Sequence, residues 1–358
     1  MIKKILLMAF IAITLSGCSS KETREEITFS SWGSITEVQV LNQILSDFEK
    51  KNPDIKVNFI HIPQNYFQKI HLLFASNTAP DVIFINNLYL PIYAPFLADL
   101  TDVIKKNDYY EQAITGLSFD NKILAMPRDI SNLILYINAD IIPEFPSKLT
   151  MDDFLKILRQ NQKEGIFAIS AEDEIYWATP YLAYYGETLT DSFKPASSQG
   201  LKTYKELKYS LKLAPTKSQV GSSTLAQMFL DKKIAIYLSG RWMYPKISEK
   251  ANFAWYIAEF PQGLAKQPCD VSGWAISKQS KHKESALKLV NFLSNETSSE
   301  YFTSTGLIVP ARVDVAQKLN NDIHNEKIFL KAISNSKSIP ITSNYKKMTD
   351  EINNKYLK

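Results

Sequence analysis

Four histidines, His61, His71, His282 and His324, are the first residues to examine for acid–base or metal chemistry, and they stand isolated from one another. None belongs to an H-E-x-x-H pair or to another spacing that would bring two imidazoles to one metal. Cysteine offers no more: Cys18 and Cys269 alone cannot build a multi-thiolate centre. No G-x-S-x-G turn presents a nucleophilic serine, and with 11 glycines in 358 residues there is no loop suited to cradling phosphate. Carboxylates such as Asp152 with Asp153, or the run Glu172, Asp173 and Glu174, have the chemistry for glycoside hydrolysis. Nothing in the sequence sets two of them across a cleft, and capping or solvation accounts for them. The residues point to binding rather than catalysis, with no cofactor and no metal.

The placement of aromatic residues is more informative. Trp32 closes an apolar run, Trp177 lies in the segment EIYWATPYLAYYGE, Trp242 follows a strand-like run through Ser-Gly-Arg, and Trp274 sits in Val-Ser-Gly-Trp. In open α/β sheets ligands bind beyond the carboxyl ends of strands, where several of these indoles are expected. An indole offers a flat apolar face with a polar edge. Sugars, with apolar C–H faces and hydroxyl rims, suit such platforms combined with Asn, Asp and Arg. The alternative for each indole is a core position, expected most for Trp255 and least for Trp177 and Trp242.

The elements that would carry these residues read as α/β. Ile27 to Trp32 is a strand, and after Gly33 and the cap-like Ser34 the residues Val38, Leu41, Leu45 and Phe48 form one face of a helix stopped by Asn52-Pro53. Ile55 to Ile60 is the next strand, so the unit is β-α-β with parallel strands. A helix from Tyr66 to Ser76 leads to an apolar strand at Asp81 to Ile85, buried on both faces. Further on, a helix starts at Thr150, and strands are expected at Ala168 to Ala171, Lys233 to Ser239, Phe253 to Phe260 and Val271 to Ser277. Residues 196–213, 222–230 and 283–294 read as helices, the first of them basic and solvated.

The stretch KILAMPRDISNLILYIN, Lys122 to Asn138, has two apolar runs around Arg128, Asp129, Ser131 and Asn132, with Pro127 holding its own φ and extending Met126. It suits a crossing between two sheets with its polar groups facing the gap, or else a surface loop between two strands of one sheet. At 358 residues and 45 % hydrophobic content, the chain is long enough for two domains. Lys plus Arg number 41 against 37 acids, or 39 against 37 without Lys3 and Lys4, a balance that calls for no nucleic acid.

Residues 1–17 read as a signal peptide: Lys3 and Lys4 are basic, and the apolar run from Ile5 to Leu15 is too short to span a bilayer. Leu15-Ser16-Gly17-Cys18 resembles the lipobox of bacterial lipoproteins, which implies lipidation at Cys18, a tether over 18–26 and an extracytoplasmic, membrane-anchored location. With Cys18 lipidated, Cys269 has no partner for an intrachain disulfide.

The ordered segments FEKKNPDIKV, APDVIF, LADLTD, KILAMPRDISNLILYIN, KKIAIYLSGRW, AEFPQG, SGWAISKQSKHKESALKLVNFL and GLIVPAR together resemble the extracellular solute-binding proteins of bacterial ABC importers. The resemblance is to the carbohydrate-binding family that includes maltose-binding protein. It implies a two-lobe type II periplasmic-binding-protein fold, each lobe a mixed, mostly parallel sheet flanked by helices. One lobe would comprise 27–128 and 272–312, the other 133–268 and 316–358, with hinge crossings near 127–133, 268–272 and 310–316. It also implies a monomer that captures a sugar and delivers it to permease subunits in the membrane.

Carried over by position, ligand contacts would fall on Ser34, Leu88, Tyr89, Ser131, Tyr176, Trp177 and Trp242. Trp32, Asn86, Arg128, Asp129, Trp274 and Arg312 join them from their expected cleft-facing placement. Ser34 and Leu88 stand where maltose-binding protein uses acids, which argues against maltodextrin, and Arg312 leaves glycerol 3-phosphate or a glycerophosphodiester as the alternative ligand. A secreted glycosidase is the alternative from another class.

Overall fold

The computed structural model describes residues 24–319, 324, 326–339 and 342–357; the expected signal peptide, Cys18 and most of the tether lie outside the described residues. Strand β1 (Glu25–Ser31) runs into helix α1 (Ile35–Lys51) through a capping box. The Glu37 N–H donates to Ser34 Oγ at 3.3 Å while the Ser34 N–H donates to Glu37 Oε2 at 2.9 Å, which satisfies two of the helix's orphan donors. The helix buries Val40, Leu41, Ile44, Leu45 and Phe48, and the amide side chain of Asn52 donates to the Phe48 carbonyl where it ends. Strand β2 (Ile55–His61) lies parallel to β1, the crossover expected from the alternation of apolar residues. Helix α2 (Tyr66–Ala75) then leads to β3 (Val82–Asn86), parallel to the other side of β1.

A two-stranded hairpin, β4 (Ser118–Phe119) with β5 (Lys122–Ile123), precedes β6 (Met126–Asn132). This corrects the expected layout of the opening crossing. The polar patch is itself a strand, and the apolar run before it gives only one residue to the hairpin and Met126 to β6. The pattern concealed a strand because two neighbours pair with it, β11 (Gln267–Ile276) and β12 (Val309–Pro310), and its polar residues Arg128, Asp129 and Asn132 are held by Glu37, Ser272 and Pro268 instead of alternating with solvent. The first sheet runs β12-β6-β11-β3-β1-β2, with β13 (Ser336–Ser338) added to β11.

One residue, Leu133, separates β6 from β7 (Ile134–Asn138), which is fully buried in a second sheet. That sheet runs β10-β7-β9-β8, with β8 at Phe167–Ile169, β9 at Ile234–Ser239 and β10 at Trp255–Ala258. Both sheets are mixed: β1 with β2, β1 with β3, β11 with β13 and β8 with β9 are parallel, and the other pairings are antiparallel.

Leu135, Ile137, Ile236 and Leu238 of the second sheet pack against α3 (Met151–Asn161), α4 (Ile175–Tyr184) and α5 (Gln199–Tyr209). Its other face holds Tyr136 and Tyr237, beside α6 (Leu225–Leu230) and α7 (Tyr244–Lys250). Helices α8 (Lys283–Leu293) and α9 (Glu296–Ser304) cover the first sheet, where Phe292 meets Phe48 and Phe302 meets Trp274. The chain returns to the first sheet over 259–266. Beyond β12 it is shared between the two bodies: Phe329 of α10 (Lys327–Ser334) packs on Tyr244, β13 pairs with β11, and α11 (Tyr345–Ile352) enters the second core.

Candidate functional site

The carboxyl ends of β1 and β3 and the start of β11 share one edge of the first sheet. β11 runs antiparallel to β3, with Ser272 opposite Asn86 and Trp274 opposite Phe84, so the amino end of β11 lies at the ligand edge and its carboxyl end lies away from it. This overturns the expectation for Trp274. The indole is fully buried, edge-on to Phe29 at 5.3 Å and to Phe84 at 5.9 Å, and is a core residue. Trp255 is core as expected, stacked on His324 at 3.7 Å.

Arg128 is likewise corrected. Its guanidinium is buried within the first body, donating to Glu37 Oε1 at 2.8 Å, with Nε 3.0 Å from Asp129 Oδ2 and the faces of Phe84, Trp274 and Phe302 around it. It ties β6 to the start of α1, and its partners Glu37, Asp129, Phe84, Trp274 and Phe302 all belong to the first body. Arg312 is corrected on the same ground. It donates to Asp314 at 2.6 Å, lies 3.5 Å from Asp108 and covers Tyr109, so its charge is spent inside the first body.

The other expected residues are brought toward the gap between the bodies. Trp32, 46 % exposed, stands just past β1 against Phe84, and Ser34 caps α1 beside it. Asn86 closes β3 and accepts the Tyr89 N–H, while Leu88 packs against the core of the second body. Tyr89 stacks on Phe67 at 3.8 Å and feels the charges of Glu174, Lys346 and Asp350, all from the second body. Burial pushes its phenol up.

The second body presents an aromatic wall. Tyr176 and Trp177 on α4 meet edge to face at 5.6 Å, and Trp177 meets Trp242 at 6.3 Å. Helix α4 carries Pro180 in its interior and still forms, because that part of it is buried on the second core. Trp242, 37 % exposed, lies over Gly240: a Cβ there would fall 2.0 Å from the indole Cζ3. Gly240→Ala therefore displaces the ring, and we expect a shifted tryptophan emission and a ligand affinity as low as that of Trp242→Ala, with fluorescence titration as the measurement. A cavity of about 670 Å³ opens beside Glu172, Glu174, Lys208 and Asp350, and Lys208 is paired with Asp173.

Between wall and sheet edge lies a polar floor. Asp129 accepts from Ser272 Oγ at 2.7 Å, and burial raises its carboxyl against the opposing pull of Arg128. Ser131, opposite Asp270 in the β6–β11 pairing, has a buried hydroxyl with no hydrogen-bond partner among the described residues. Asp270 faces Asp129, Tyr176 and Tyr345, and burial pushes its carboxyl up to about 7, with the Asp129 charge acting in the same direction. Sequence reasoning missed Asp270, Asn87 and Tyr345. A lone acid inside the apolar run QPCDVSGW was the available signal.

Two α/β bodies with an aromatic wall on one and a polar strand edge on the other define a two-lobe binding protein of the type II periplasmic class. A model of the bacterial extracellular solute-binding protein family matches residues 43–330, and the chain belongs to that family, whose place is outside the cytoplasm. The maltodextrin-binding protein MdxE of Bacillus subtilis is 27 % identical over 358 aligned residues, covering 90 % of this chain and 83 % of that protein. The galactooligosaccharide-binding protein of the same bacterium is 23 % identical over 331, covering 82 % and 76 %. The solved ABC substrate-binding protein Lmo0181 from Listeria monocytogenes, in complex with cycloalternan, matches with a TM-score of 0.83 at 23 % identity, covering 93 % of this chain and 92 % of its own. These relatives are binding proteins by name; the structural likeness carries the fold.

Proposed function

We propose that this protein captures a sugar, in oligosaccharide form, between its two bodies and delivers it to the permease of an ABC importer, without catalysing a reaction on it. The observation that carries this reading is the run Tyr176, Trp177 and Trp242, three ring systems in edge contact on one body, with Tyr176 beside the Asp270 carboxyl of the other. Such a pairing matches the apolar face and hydroxyl rim of a pyranose. The names of the two B. subtilis relatives support the same ligand class.

In this reading the crossings at Leu133, over 259–266 and beyond β12 act as hinges, which moves the second from the expected 268–272 because those residues lie within β11, and a sugar that touches both bodies stabilises the closed form through its differential affinity. Lipidation at Cys18 would hold the monomer on the outer side of the membrane near its permease. An anionic polyol is disfavoured, because Arg312 is already paired with Asp314.

A thermal-shift panel of maltotriose, a galactotriose and glycerol 3-phosphate tests the proposal. A ligand at a hundred times its Kd that binds only the native state adds about 2.7 kcal/mol to apparent stability. We expect a shift with at least one trisaccharide and none with glycerol 3-phosphate; no shift with either sugar, or turnover of a glycoside, sinks the reading.

A further inference from the structure

We propose that Asp270, with the amide of Asn87 and the hydroxyl of Ser131, is the group on the floor of the gap that reads a pair of neighbouring hydroxyls on the captured sugar. This deepens the sugar-binding reading and rests on it.

The geometry is specific. The Val271 N–H is shared by two acceptors, Asp270 Oδ1 at 3.0 Å and Asn87 Oδ1 at 3.2 Å, which sets the Asn87 amide beside the Asp270 carboxyl. Asn87 is completely buried, yet its Nδ2 has no hydrogen-bond partner among the described residues. The same holds for Ser131 Oγ on the strand opposite. Buried donors without partners are costly, roughly 1–3 kcal/mol by mutational measures, and their persistence at a binding edge points to a ligand that completes them. Two unspent donors next to a carboxyl acceptor complement a diol, in which each hydroxyl both gives and takes a hydrogen bond. Among the described residues no cation pairs with Asp270, so a ligand hydroxyl is free to donate to it.

The groups facing this carboxyl are Asp129 on β6, Tyr176 on α4, Tyr345 on α11 and the Cys269 thiol beside it on β11. Arg128, the cation beside Asp129, is spent on Asp129 and Glu37. Without ligand the Asp270 carboxyl titrates near neutrality, at about 7, through burial and the Asp129 charge. Hydroxyls that donate to it favour the carboxylate, so binding releases a proton below that value. Affinity therefore rises with pH as it approaches about 7 and levels off above it.

The test is calorimetric titration of the full chain, wild type, Asp270→Asn and Ser131→Ala, with maltotriose and the galactotriose from pH 5.5 to 8.5. A hydrogen bond to a charged group contributes about 1.5–3 kcal/mol, so Asp270→Asn is expected to weaken binding about 10- to 100-fold at pH 8 and to flatten the pH profile. Ser131→Ala should weaken binding less and leave the pH slope in place. Circular dichroism and thermal melts show that each variant folds; Asp270→Asn should melt no lower than wild type, since it removes a carboxyl held above its ordinary range. If wild type binds a trisaccharide and Asp270→Asn keeps both the affinity and the pH slope, Asp270 has no such role. If wild type binds neither sugar, the broader reading falls and takes this one with it.

Discussion

Arg128→Ala is expected to lower the unfolding free energy by about 3–5 kcal/mol, the largest stability loss of any substitution considered, because it leaves a buried ionic cluster without its cation. The guanidinium side chain is 5 % exposed and is the common partner of Glu37, at 17 %, and Asp129, at 15 %. It is also in contact with three aromatic rings, the nearest being Phe302 at 4.9 Å from the guanidinium carbon. Alanine removes the charge, the hydrogen bond to Glu37 and the filling of that cage together. Urea denaturation measures the loss: the midpoint should fall with little change in slope.

A pH dependence distinguishes the ionic part from the packing part. With Arg128 gone, the folded-state pKa of Asp129, already raised by burial, moves higher. A carboxyl whose folded pKa lies above its unfolded one costs nothing while both states are protonated and loses stability as pH rises from the unfolded pKa to the folded one, so the deficit of the variant should be smallest in acid and grow toward neutrality. A deficit constant across pH 4 to 8 would mean that packing alone holds the site. Arg128→Lys should recover part of the stability, because it restores a charge without the planar fork or the stacking face.

The residues around Arg128 also show where sequence reading succeeds and where it stops. Helix α1 was legible because its signals are local: Ser34 and Glu37 form the cap, and Leu41, Leu45 and Phe48 repeat at helical spacing. The β1-α1-β2 unit was legible for the same reason. Strand β6 was not, because Arg128 and Asp129 read as surface or cleft residues until β11 and α1 are brought to them from far along the chain. Helix α4 was concealed by Pro180 and by an apolar surface nearly all round, which has no period to read. The site was half legible. Tyr176, Trp177 and Trp242 follow from aromatic placement and family resemblance. Trp274 was misplaced and Asp270 missed because nothing in the residues of β11 tells which way it runs beside β3. Its antiparallel pairing sends the indole into the core and brings the acid to the ligand edge.

A second loss of binding, independent of the Asp270 carboxyl, should come from the aromatic wall. Trp177→Ala and Trp242→Ala are each expected to weaken trisaccharide binding about tenfold, since an aromatic contact gives roughly 0.5–1.5 kcal/mol beyond the area it buries and the indole face contributes that area as well. The two effects should not add. The rings meet edge to face at 6.3 Å, so removing Trp177 also frees Trp242 to leave its position over Gly240, and the double variant should fall short of the product of the single losses. Trp242→Phe should keep most of the affinity by preserving a flat face.

Stability separates a binding role from a packing role. Trp242 is 37 % exposed, so its truncation should scarcely move the melting temperature, whereas Trp177, half-buried against the second core, should cost a little. Fluorescence adds a second readout. Trp255 and Trp274 are 6 % and 0 % exposed and are shielded from a ligand in the gap, so the ligand-dependent change in emission should come from Trp32, Trp177 and Trp242 and shrink sharply in the double variant. If both single variants bind as wild type does while the emission still responds, the sugar sits elsewhere along the gap, and the aromatic wall is only the rim of the second body.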